Sequence, residues 1–244
     1  MRILGQPAWV LHLRPWRESS ALVELLTLEH GRVGAVVRGI RGPRQQPLRA
    51  ALQPLVPLQV DLQLRGELAT LRQAEAVAPA VPLRGDGLLA ALYANELVLR
   101  LAPRHDPAPT LFERYGSLLP ALADGALLSW TLRCFERDLL GELGLGLSWD
   151  VDAAGEPVLP HLRYRIEPED GLVREASRSP ASVSGEALLG LASGRCPDDA
   201  GLAELRRALR ALLLVHLGGR PLRSWDLIGR LRASGAVASQ PLEG

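Results

Sequence analysis

The period of the hydrophobic pattern changes once along the 244 residues, near residue 80. Before this point, short apolar runs lie between prolines and glycines, and residues 55–64 alternate between apolar and polar side chains. Such alternation is typical of half-buried strands. After the proline-rich segment 78–82, leucines recur at helical spacing. The pattern predicts an α+β protein with a strand-rich N-terminal domain and a mainly α-helical C-terminal domain.

Five short strands are predicted in the first eighty residues. The pair His30-Gly31 favours a hairpin between two of them, and five strands in so short a segment favour a small closed barrel. Residues 38–44 are rich in glycine and arginine, which predicts a basic loop. The predicted strands cover residues 8–13, 21–28, 33–37, 55–64 and 68–76.

The second part of the chain is predicted to be helical, with an irregular insertion over residues 145–182 that holds a strand pair around Tyr164. Asp198 or Asp199 can cap the strongest helix. Helices are predicted over residues 88–103, 109–122, 127–143, 199–217 and 225–232. The expected division is a domain over residues 1–80, a helical domain over 81–235 and a disordered tail over 236–244.

All 28 basic residues are arginine, and the chain has no lysine. This excludes phosphate-loop lysines, Schiff-base lysines and pyridoxal-phosphate anchors. The two cysteines, Cys134 and Cys196, are too few for a four-thiolate zinc site or a disulfide framework. We therefore predict a protein that is not an enzyme and that uses no cofactor and no metal. A hydrolase with an unrecognised site stays open as an alternative.

Positive charge is concentrated in two stretches, although the formal net charge of the chain is only +1. Residues 1–80 hold 10 arginines and 6 acidic residues, and no acid lies between Glu29 and Asp61. A second run of arginines follows Glu204. Concentrated positive patches favour polyanion binding.

The arginines of the first stretch are candidates for contacts with DNA phosphates, because guanidinium groups bind phosphates and stack on bases. Trp9 and Trp16 are the aromatic residues of this half; either could stack on a base, and a core role for Trp9 is an equal alternative. A solvated basic face, or a protein–protein adaptor that does not touch DNA, also remains open. The DNA-binding candidates are Arg14, Arg32, Arg38, Arg41, Arg44 and Arg49.

Several short motifs follow one another in a defined order. They are AWVLHLRPWRESS from residue 8, EHGRVG from 29, RGIR from 38, LQP from 52, GEL from 66, YANEL from 93, residues 133–144, HLG from 216 and RPLRS from 220. This ordered set resembles the RecO family of bacterial recombinational-repair proteins over nearly the whole chain.

The resemblance implies an N-terminal OB-fold β-barrel and a helical C-terminal domain. It also implies binding of single- and double-stranded DNA, annealing of complementary strands, and help in loading the RecA recombinase. The implied protein partners are RecR and the acidic C-terminal tail of single-stranded DNA-binding protein (SSB), with RecA contacted indirectly and no membrane involved.

Some members of the family carry a four-cysteine zinc site in the C-terminal domain. Residues 145–182 contain no cysteine here, so we expect a metal-free insertion. We also expect a cytoplasmic, nucleoid-associated protein. The candidates for binding DNA or the SSB tail in the second stretch are Arg206, Arg207, Arg210, Arg220 and Arg223.

Overall fold

The computed structural model describes residues 1–125, 127–177 and 179–227. Its N-terminal strands are β1 (Arg2–Trp16), β2 (Ser20–Thr27), β3 (Gly31–Val37), β4 (Pro57–Arg65) and β5 (Leu68–Ala76). They close into a barrel in the order β1-β2-β3-β5-β4, and β4 pairs back onto β1. Neighbouring strands are antiparallel except β3 and β5, which are parallel. The predicted five-stranded barrel is confirmed.

Strand β1 is long because it borders both β2 and β4. Its pairing register shifts between Ile3 and Gln6 and again between Val10 and His12. Such bulges bend a strand and increase its twist, which lets β1 turn from one neighbour to the other. The inward-facing side chains form the barrel core, which includes Val10, Val23, Leu25, Val33 and Leu62.

A short 3-10 turn (Pro43–Gln45) and helix α1 (Gln46–Ala51) connect β3 to β4. The sequence did not predict α1, because six residues are too few to display a helical period. Leu48 and Ala51 of α1 pack against the barrel core. The helix therefore covers one end of the barrel.

The helical region contains α2 (Gly85–Leu101), α3 (Pro109–Asp124), α4 (Leu128–Glu142), α5 (Gly185–Ser193) and α6 (Asp199–His216). Four predicted helices are confirmed as α2, α3, α4 and α6, and α5 is an addition. Asp198 caps α6, since its side chain accepts the N–H of Gly201 at 2.8 Å. A further helical segment begins at residue 223. The predicted continuation to residue 232 and the predicted tail lie outside the described residues.

The predicted strand pair around Tyr164 is part of a three-stranded sheet of β6 (Arg163–Glu167), β7 (Gly171–Glu175) and β8 (Val183–Ser184), in the order β7-β6-β8. Glu204 of α6 holds this sheet: its carboxylate accepts from Arg163 at 2.7 Å and from the N–H of Ser184 at 2.9 Å. The insertion is thereby tied to the helices.

The barrel and the helices share one hydrophobic cluster through Trp9, which points out of the barrel. The centroid of its ring lies 5.6 Å from that of Tyr115 and 6.4 Å from that of Phe112. Asn95 adds a polar contact, because its Nδ2 donates to the carbonyl of Leu11 at 2.5 Å. Of the two roles weighed for Trp9, the structure gives it the core role.

Candidate nucleic-acid interface

A cleft lies at one end of the barrel, where the β1–β2 turn, the end of β3 and the start of β5 meet. Its volume is about 820 Å³. We call it the barrel cleft. It is lined by Trp16, Arg17, Glu18, Ser19, Ser20, Val36, Arg38, Gly39 and Leu68.

Trp16 is the exposed aromatic side chain of the barrel cleft, with 37% of its surface accessible. Because side chains alternate along a strand, Trp16 shares one face of β1 with Arg14 and His12, and all three are exposed. The guanidinium of Arg17 lies 6.0 Å from the Trp16 ring centroid. The cleft thus combines an accessible ring with neighbouring positive charge.

The basic loop of residues 38–44 approaches the β1–β2 turn, and it is held by Arg41 of the loop and by Arg49 of α1. Arg41 donates through Nη1 to the carbonyl of Glu18 at 3.0 Å. Arg49 donates through Nη1 to the carbonyls of Ile40 and Gly42, at 2.7 and 2.8 Å. Arg38 and Arg44 are exposed. Within the predicted set, Arg49 therefore shapes the loop, while Arg38 and Arg44 present their charge to solvent.

Arg32 lies away from the barrel cleft, at the junction between the barrel and the helices. Its Nε donates to the carbonyl of Ala102 at 2.8 Å, and its Nη1 pairs with Glu24 at 3.0 Å. Arg104 pairs with the same carboxylate. The predicted DNA contact by Arg32 is untested, but its guanidinium already has two protein acceptors.

The arginines of the second basic stretch make different contacts. Arg207 donates through Nε to the carbonyl of Pro180 at 3.3 Å and, with Arg165 and Ile166, lines a groove of about 350 Å³ between α6 and β6. Arg210 lies over the Trp225 ring at 4.3 Å. Arg206 is exposed on α6.

Arg220 and Arg223 belong to the segment that follows α6. The carbonyl of Arg220 accepts from Arg100 at 3.3 Å, and the backbone N–H of Arg223 donates to Glu96 at 2.9 Å. Both side chains are exposed. These contacts fasten the segment to α2 through its backbone and leave the two guanidinium groups at the surface.

A buried polar cluster between α2 and α4 belongs to neither surface. Tyr93 donates to Glu136 Oε1 at 2.6 Å, and Arg133 pairs with the same oxygen. Burial raises the pKa of the Glu136 carboxyl, and burial together with the charge of Glu136 raises the pKa of Tyr93. Because all three side chains are buried, the cluster fixes the two helices and is out of reach of a ligand.

Cys134 does not have the setting of a nucleophile. Burial raises the pKa of its thiol, which disfavours the reactive thiolate. Within the described ranges, no group of three or more histidine, cysteine or acidic side chains could hold a metal ion. Over the same ranges, no helix is long and apolar enough to cross a membrane.

Arg17 lines the barrel cleft but was not among the DNA-binding residues predicted from the sequence. Arg17 has a φ of 54°, a left-handed conformation that places it at the tip of the β1–β2 turn. Its position directly after Trp16 was the one available signal. The exposure of Trp16 and the burial of Trp9 were not distinguished from the sequence, because the side chains that cover Trp9, Phe112 and Tyr115, come from a distant part of the chain.

Two family models together match most of the chain. "Recombination protein O N terminal" matches residues 1–80, and "Recombination protein O C terminal" matches residues 83–226. A protein named DNA repair protein RecO from Xanthomonas campestris pv. campestris is 49% identical over 241 residues, which cover 97% of this chain and 100% of the relative. Its namesake from Xylella fastidiosa is 46% identical over 237 residues, or 95% of this chain and 98% of the relative.

Proposed function

The chain belongs to the RecO family, and from this premise we propose that it binds single- and double-stranded DNA, anneals complementary strands and helps RecA to load onto SSB-coated DNA. Members of this family mediate recombination without a catalytic activity of their own. The proposed action is therefore one of binding and strand annealing, at the nucleoid where the DNA lies.

The observation that carries the proposal is the exposed Trp16 ring beside exposed guanidinium groups in the barrel cleft. An aromatic ring offers a stacking surface to any base, and arginines neutralise the phosphates on either side of it. Leu68 and Val36 supply apolar surface next to the ring. This combination supports binding of an unpaired strand, whose bases are free to stack.

We assign the phosphate contacts to Arg17 and Arg38, which line the barrel cleft, and to Arg14, which is exposed on the same face of β1 as Trp16. Arg44 lines a separate space between α1 and β5 and is not part of this assignment. Arg41 and Arg49 act mainly by holding the basic loop in place. Annealing needs two negative strands to approach each other, and neutralising the phosphates of one strand lowers the repulsion that opposes this. Contact with the second strand is assigned to the helical domain over residues 81–235.

The groove between α6 and β6 supports the proposed contact with the SSB tail. Arg207 provides positive charge, and Ile166 and Ala208 provide apolar surface. Arg165 also lines the groove, but its guanidinium pairs with Glu167 and Glu175 at 3.0 and 3.6 Å. An acidic peptide that ends in an aromatic residue matches this lining. Arg206 lies on the same helix and adds to the charge; RecR is a further proposed partner, for which we assign no surface.

The proposal is tested by annealing complementary oligonucleotides coated with SSB, with and without the full chain. We expect duplex formation to be faster with the protein present, and the acceleration to fall when SSB lacks its acidic tail. If oligonucleotides neither bind nor anneal faster at low salt, direct DNA binding is wrong, and the adaptor alternative takes its place.

A further inference from the structure

Strand β5 leaves one edge of the barrel unpaired over its second half. β5 pairs with β4 from Leu68 to Ala76, but it pairs with β3 only at Ala69 and Thr70. β3 ends at Val37, where the chain turns into the basic loop, and within the described part of the chain no strand pairs with residues 72–76 on that side. The backbone N–H and C=O groups of this edge are open to a partner strand.

Helix α1 lies beside this edge and turns it into a groove. The space between α1 and β5 has a volume of about 560 Å³. Its floor is apolar and continuous with the barrel core, because Leu48, Ala51 and Ala74 pack against that core while they remain partly accessible. Since alanines make up most of the floor, the groove has room for the side chains of a bound strand.

The rim of this groove carries an excess of positive charge. Arg44 and Arg72 line it against the single acidic residue Glu75. Arg72 is exposed, and its Nε donates to Oε1 of Gln63 at 3.1 Å, which holds the guanidinium at the rim. A positive rim attracts an acidic chain and repels a basic one.

We propose that the groove between α1 and β5 binds an extended acidic peptide segment of a partner protein, which joins the barrel as an added strand beside β5. The backbone of the peptide pairs with the open edge, and successive side chains of the peptide point to opposite sides. Apolar side chains cover the alanine floor, and carboxylates face Arg44 and Arg72.

A nucleic acid strand is a poorer occupant of this groove. Its backbone lacks the regular N–H and C=O groups that pair with a β edge. The described lining of the groove contains no aromatic ring on which bases could stack. The proposed peptide site does not depend on DNA binding at the barrel cleft.

The test uses the full chain and a synthetic peptide of about nine residues that alternates aspartate and valine, long enough to span a typical strand. We expect the peptide to bind at low salt and to slow amide hydrogen exchange in residues 72–76. The matched control is the same peptide with methyl groups on alternate backbone nitrogens. Because it cannot donate to the edge, we expect it to bind weakly. Equal binding of both peptides, or binding without slower exchange in residues 72–76, would overturn the proposal.

A variant separates this site from the DNA surface. Arg72→Glu should weaken peptide binding about fivefold, as expected for reversing one exposed charge at the rim, whereas Arg195→Glu, which changes an exposed arginine after α5, should not. Annealing of oligonucleotides should be retained by both variants. The assignment is contradicted if Arg72→Glu leaves the peptide affinity unchanged. It is also contradicted if oligothymidylate displaces the peptide and this variant loses DNA affinity to the same extent. If the unmodified chain fails to anneal oligonucleotides, the proposed function is wrong, but the proposed peptide site is not affected.

Discussion

At the scale of single residues, arginines of the same sequence stretch take different roles. Arg38 is exposed at the barrel cleft, Arg49 holds the carbonyls of a loop, and Arg32 reaches the carbonyl of Ala102, which lies 70 residues further along the chain. The composition indicated a basic surface, but it could not assign these roles. The acceptors that occupy Arg32 come from distant segments, and only the fold brings them together.

The residue with the sharpest predicted effect is Trp16. Trp16→Ala should weaken binding of single-stranded oligothymidylate about tenfold, because the loss of one base-stacking ring costs on the order of 1–3 kcal/mol. The ring is exposed, so the midpoint of thermal unfolding should change little. Fluorescence anisotropy of a labelled oligonucleotide measures the affinity.

Trp16→Phe is the matched control for this prediction. It keeps an aromatic face and should retain most of the affinity. If Trp16→Ala binds as tightly as Trp16→Phe, stacking on this ring does not contribute to DNA binding.

At the scale of elements, long or alternating segments were predicted well and short ones were not. The five strands, α2, α3, α4 and α6 follow from the hydrophobic pattern. Helices α1 and α5 have six and nine residues, and their positions depend on packing against the barrel and against α6 rather than on a period of their own. The open edge of β5 follows from where β3 ends, which the sequence did not indicate.

Glu204 provides a test of how the small sheet is held to α6. Desolvation alone would raise the pKa of its carboxyl, but hydrogen bonds from Arg163 and from the N–H of Ser184 outweigh it, and the net pKa is lowered. A lowered pKa in the folded state means that the carboxylate stabilises the fold above the pKa of the unfolded chain. This contribution is lost as the pH falls through the lower, folded value.

Glu204→Gln should therefore reduce the free energy of unfolding by about 2 kcal/mol at neutral pH, since it removes a charged partner from a largely buried pair. The difference from the unmodified chain should be smaller at about pH 3 than at neutral pH, because the loss begins near the ordinary pKa of glutamate and continues through the lower, folded value. Urea unfolding at both pH values measures it. A difference that stays constant between them would show that the ionised carboxylate is not what stabilises this contact.

At the scale of the whole molecule, the barrel and the helical region meet at the β2–β3 turn. The backbone N–H of His105 donates to the carbonyl of Arg32 at 3.0 Å. A Cβ on Gly31 would lie 1.9 Å from the carbonyl oxygen of Asp106, and Gly31 has a φ of 61°. The close approach requires glycine at this position, where the barrel contacts the helical region.

Gly31→Ala should lower the free energy of unfolding by about 3 kcal/mol, because backbone strain and the clash with Asp106 add together. Gly66→Ala is the matched control: Gly66 also has a positive φ, but its Cβ would meet nothing within 4 Å. Gly66→Ala should lower the free energy of unfolding by about 1 kcal/mol, which is the effect of placing a non-glycine residue at a positive φ. Thermal or urea unfolding of the two variants measures the difference. Equal losses of unfolding free energy in the two variants would contradict a close contact between Gly31 and Asp106.

The central claim is that arginines of the barrel cleft neutralise DNA phosphates, and the salt dependence of binding tests it most directly. The affinity for oligothymidylate would be measured across a series of salt concentrations for the unmodified chain and for a variant with Arg14, Arg17 and Arg38 changed together to alanine. A variant with Arg2, Arg84 and Arg195 changed to alanine has the same net charge and serves as control. We predict that the slope of log affinity against log salt becomes shallower by about 2 units in the first variant, at roughly 0.7 units for each lost phosphate contact, and stays unchanged in the control. An equal slope in all three proteins would contradict the account.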